Sequence, residues 1–160
     1  AALWGTYTAK RADGLMSTTP SAIPVAEKPR PSRAIQADDA GVVFPSYGLI
    51  ATEATIRTRG PALKRLVETQ QRAWAQLKAN LDEGIEAMIK QRPDAKLDAA
   101  VLREQIKLTI EFFDTPATKG KAIGWQSEED WTAALRALEA AGAIKPGWKA
   151  GDYFTNEFIG

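Results

Sequence analysis

From Gly60-Pro61 onward, apolar positions recur every three or four residues, the period of a helix that buries one face. Leu63, Leu66, Val67, Gln70, Trp74, Leu77 and Leu81 trace the first stripe. Pro61 suits its first turn, because the N–H that proline lacks would be unpaired there anyway. Asp82 stands where it can cap a second helix carrying Ile85, Met88 and Ile89, which stops before Pro93. Asp98 can cap a third, with Val101, Leu102, Ile106, Thr109, Ile110 and Phe113 inward. Ser127 opens a fourth, Glu128 to Ala141. Glu128, Glu129 and Asp130 lie in its first turn, where the helix dipole favours negative charge, and Gly142 provides its stop. Trp125 and Trp131 bracket that start as a loose hydrophobic staple.

Before residue 60 the pattern is different. Prolines crowd residues 14–60, and the apolar runs are short. Gly14 to Ser17 reads as a short strand that leads into a polar turn closed by Pro20. Ala34 to Gln36 gives a second brief strand before a turn at Asp38–Gly41. Tyr47 to Thr52 is the best strand candidate, with β-branched and aromatic residues around it. Ala1 to Ala12 reads as the end of a helix, and Ser21 to Lys28 as a short one. Thr115 to Lys121 is a loop, and the aromatic tail from Gly151 is expected to dock rather than hang free.

The composition of the 160 residues, 44% hydrophobic and 26% charged, is that of a globular chain with a real core. A net charge of +1 gives no field that would draw nucleic acid or a membrane surface, and no apolar run is long enough to span a bilayer. The chain starts without Met and without a signal-peptide pattern, which fits a processed protein or a fragment. With no Cys and no His, thiolate chemistry, disulfides, a Ser-His-Asp triad and His-ligated zinc are all excluded within this chain. No cofactor is expected. Glu111 and Asp114, at helical spacing, read as solvated surface carboxylates, and the Lys28–Arg33 stretch as a solvated basic loop.

The order of the pieces carries a resemblance. "FFDTPATKGKAIGWQSEEDWTAALRALEAAGAI" followed by "DYFTNEFI" resembles the end of the solute-binding proteins that serve ABC importers of nitrate, sulfonate, taurine and thiamine-pyrimidine precursors. Gly124, Gln126, Ser127, Trp131, Gly142, Ile144, Tyr153, Thr155, Asn156 and Phe158 fit that pattern. The helix pair from Gly60, "ADGLMSTTPSAIPVAEK" and "DDAGVVFPSYGLIATEATI" look like the segments that precede it. The resemblance implies an α/β fold, the helix-dominated C-terminal half of a type II periplasmic-binding-protein architecture, with few short strands and about four helices. Residues 1–50 would end lobe two and cross over, and 51–160 would return as the helical part of lobe one. Family members are about twice this length, so the cleft would be completed by a missing N-terminal half or by self-association.

By that resemblance the chain would capture a small organic or oxyanionic solute between two lobes, without chemistry. The partner would be an ABC permease, with no nucleic acid and no membrane insertion, and the location periplasmic or lipid-anchored outside the cytoplasm. The ligand side would fall on Ser17, Thr18 and Thr19, whose hydroxyls and N–H groups suit an oxyanion or ring nitrogen, and on Tyr47 as an aromatic wall. Each has a plainer reading as well: an ordinary polar turn for the three, strand packing for Tyr47. Trp148, after a turn, is the tryptophan expected to be most exposed. Two other functions remain open: a pyrimidine-precursor-synthase-like enzyme of the same fold, which would need a His that this chain lacks, and a helical sensory or interaction module.

Overall fold

The computed structural model describes residues 2–26, 29–45 and 47–160. Six α-helices carry the described chain: α1 (Ala2–Thr8), α2 (Thr19–Ala26), α3 (Glu53–Ala79), α4 (Leu81–Gln91), α5 (Ala99–Glu111) and α6 (Glu128–Ala140). Single 3-10 turns lie at Asp38–Ala40, Pro93–Ala95 and Ala150–Asp152. Among the described residues there is no β-strand, so the α/β expectation is overturned and the fold is helical.

The reason lies in what a strand requires. Its N–H and C=O groups must pair with a neighbouring strand, and local propensity cannot substitute for that partner. Gly14–Ser17, Ala34–Gln36 and the described residues around Tyr47–Thr52 run as irregular chain. Their larger apolar side chains include some of the most exposed: Met16 is 94% exposed, Ile35 82% and Ile50 99%.

The chain gathers into two compact units. One takes the residues through Gln36 together with Leu77–Phe112, and the other Ala37–Gln76 with Phe113–Gly160. In the first unit α5 packs against both α2 and α4. The buried set is Tyr7, Ala26, Ile85, Leu102 and Ile106, so the third predicted stripe points inward at its centre. Asp98 caps α5 by accepting from the N–H groups of Ala100 (2.8 Å) and Val101 (3.0 Å), as its position predicts. The cap of α4 is Asn80 rather than Asp82: its side chain accepts from the Glu83 N–H at 3.3 Å and donates back to the Glu83 carboxylate at 3.1 Å. Asp82 instead pairs with Arg103 of α5.

The basic loop is only partly solvated. The Arg30 guanidinium donates to the carbonyls of Tyr7 (2.9 Å) and Ala12 (2.6 Å) and lies 4.4 Å from the centre of the Tyr7 ring. The Tyr7 hydroxyl meets Ser32 at 2.5 Å, which ties α1 to the stretch after α2.

In the second unit the predicted stripe of α3 begins where Pro61 places it, and one further stretch precedes it. Glu53–Thr58 is helical, with Thr52 accepting from the Thr55 N–H at 3.2 Å, and the axis breaks at Arg59 (φ −126°, ψ 22°). Proline at 61 removes a helical donor and clashes with the preceding turn, which accounts for the kink. Leu63, Val67 and Trp74 are half-buried, but Leu66 and Gln70 face solvent. Trp74 meets Phe113 edge to face with centroids 4.6 Å apart, and Gln71 donates to the Ile123 carbonyl at 2.9 Å. Ser127 caps α6 through the N–H groups of Glu129 (3.1 Å) and Asp130 (3.3 Å).

Candidate functional site

Of the four residues expected at a ligand cleft, three form the entry to α2. The Thr18 carbonyl accepts from the N–H groups of Ser21 (3.1 Å) and Ala22 (2.9 Å), and its hydroxyl donates to Ser21 Oγ at 2.9 Å. Thr19 donates to the side-chain oxygen of Gln36 at 2.8 Å, joining the start of α2 to the irregular stretch beyond it in the first unit. Ser17 is exposed beside them. This turn therefore offers hydroxyls and an amide, next in sequence to the exposed apolar side chains of Met16 and Ile35. Gln36 is the residue that sequence reasoning missed; an isolated Gln in a polar stretch carries no periodic signal.

Tyr47 belongs to the other unit and lies in irregular chain rather than in the expected strand, 73% exposed. Ser46, beside it, lies outside the described residues. Among the described residues no cluster of acidic side chains could hold a metal ion.

The second unit assembles an aromatic group around α6. Trp131 donates its indole N–H to the Gln126 side chain at 3.0 Å. It lies near-parallel to Tyr153 (5.8 Å, 17°) and Phe154 (6.1 Å, 10°). Asn156 holds the tail in place with both ends of its amide: it accepts from the Gln126 N–H and donates to the Gln126 carbonyl, each at 2.9 Å. The clamp on this helix start is therefore the C-terminal tail rather than Trp125, whose ring faces the Lys121 ammonium at 5.5 Å. Trp148 meets Tyr153 at 69°, centroids 5.8 Å apart, and is the most exposed tryptophan.

A helical chain with a hydroxyl-lined turn in one unit and an aromatic group in the other is what any relative has to fit. No protein-family profile and no solved structure matches it. It is 26% identical over 113 residues to a Chloroflexus aurantiacus protein named riboflavin-binding protein RibY. The match takes in 70% of this chain and 32% of that protein, so the stretch compared is about a third of the relative's length. The resemblance to the nitrate, sulfonate and taurine type of ABC solute-binding protein is accordingly not upheld. The strands it requires are absent among the described residues, and its short motifs can be met by helix caps and a docked tail alone.

Proposed function

We propose that this chain binds a small organic molecule and leaves it chemically unchanged. The observation that carries the reading is the likeness, over 113 residues, to a protein named for binding riboflavin. The Ser17–Thr19 turn with Gln36 supplies what such a ligand needs, a few fixed hydrogen-bonding groups beside apolar surface. The absence of His and Cys supports binding without conversion. The proposal extends to delivery of the solute, with a location outside the cytoplasm and a membrane permease as receiver. Cell fractionation and cross-linking to membrane proteins test that extension.

Riboflavin is the first ligand to test. Titrating the chain into riboflavin and following the flavin's own emission should give saturable 1:1 quenching, with riboflavin recovered intact by mass. Thr19→Val should weaken binding about tenfold, the loss of roughly one hydrogen bond whose partner is left unpaired. Absence of saturation at millimolar protein would refute the reading.

A further inference from the structure

Trp148 and Tyr153 are large rings held open to solvent, at 53% and 41% exposure, by a support that has no need to expose them. Tyr153 is backed by Trp131, whose indole is fixed by Gln126, and Gln126 is in turn fixed by Asn156. Trp148 is positioned from its other side. The Gly147 N–H is held by the Glu139 carboxylate at 3.1 Å, with Gly147 at φ +105°, a backbone angle that favours glycine. Between them in sequence, Ala150 is buried in the 3-10 turn Ala150–Asp152, which shortens the chain between the rings. Both rings are thus set before any ligand arrives, which removes much of the ordering cost of binding.

We infer that Trp148 and Tyr153 form a corner that takes a planar, electron-poor heteroaromatic ring. Two electron-rich rings at 69° let such a guest stack on one face while its positive edge meets the other. Two side chains are far too small a surface for a stable protein interface, which needs roughly 800 Å² from each partner, but they match one small ring system. Lys149 and Asp152, close to them in sequence, are exposed and carry opposite charges. This corner goes beyond the hydroxyl turn of the first unit and stands independently of it.

The probe is lumichrome, a flavin-type ring without the polyol chain, titrated into the whole chain labelled with 15N at tryptophan. Of the five indole N–H resonances, that of Trp148 should shift most, and that of Trp125, whose ring faces Lys121, should not move. Trp148→Ala should weaken binding at least about tenfold, within the range measured for loss of an aromatic stacking partner, while the far-UV spectrum is unchanged. Trp125→Ala should bind as the parent does. A silent Trp148 resonance, or undiminished binding by Trp148→Ala, would overturn the inference. Riboflavin binding with Trp148 silent would leave the solute-binding proposal standing and end this one.

Discussion

Asn156 does with one side chain what a neighbouring strand would do with its backbone, donating to and accepting from the same peptide at Gln126. Asn156→Ala removes both bonds and leaves half-buried peptide groups to find water. We expect a loss of about 2 kcal/mol, at about 1 kcal/mol for each bond, read as a lower denaturation midpoint. Arg30 is equally specific. One of its nitrogens donates to two carbonyls while the guanidinium lies over the Tyr7 ring, and a lysine ammonium lacks the planar group that packs against that ring. Arg30→Lys should therefore cost about 1–2 kcal/mol in urea denaturation, whereas Arg33→Lys, exposed in the same loop, should be near neutral. Neither role was visible in the chain as written, since side chains that bond to distant backbone leave no periodic trace.

The elements divide by whether their cause is local. Ser127 and Asp98 act within three residues of themselves, and both caps stand where the sequence predicts them. Ser127→Ala should cost about 1 kcal/mol, and Ser127→Asp should restore most of it, both measured by thermal denaturation. The early start of α3 was hidden because Thr52, Thr55 and Ile56 are β-branched and precede the helical stripe, yet Thr52 caps it. The strands failed for the opposite reason: Tyr47–Thr52 has the composition of one, but its partner is not something a segment can supply for itself. The exposed Leu49 and Ile50 are then a pairing hazard. Ile50→Lys should lower concentration-dependent association in sedimentation velocity without altering helix content.

At the scale of the molecule, the buried apolar set among the described residues is thin. Tyr7, Ala26, Ile85, Leu102 and Ile106 serve one unit, and Ala134, Leu135 and Ala150 the other. A chain so placed has little reserve stability, and any ligand that binds only the folded form raises it by mass action. Riboflavin at a hundredfold excess over its Kd should raise Tm by about 5–10 °C, from roughly 2.7 kcal/mol of linkage. An unchanged Tm at saturating ligand would contradict the proposed function. The candidate site was half legible: the hydroxyls of Ser17–Thr19 and the exposure of Trp148 come from local turn chemistry. Gln36 as the partner of Thr19 and Trp131 as the support of Tyr153 depend on which distant stretches meet.

The parallel set of Trp131 with Tyr153 and Phe154 has an optical consequence. Rings locked in one chiral arrangement couple their electronic transitions, so the docked tail should give a near-ultraviolet circular dichroism band of its own. The chain thereby carries a label-free reporter of whether its last ten residues are seated. In Asn156→Ala that band should fade at temperatures where the far-ultraviolet helix signal is still intact.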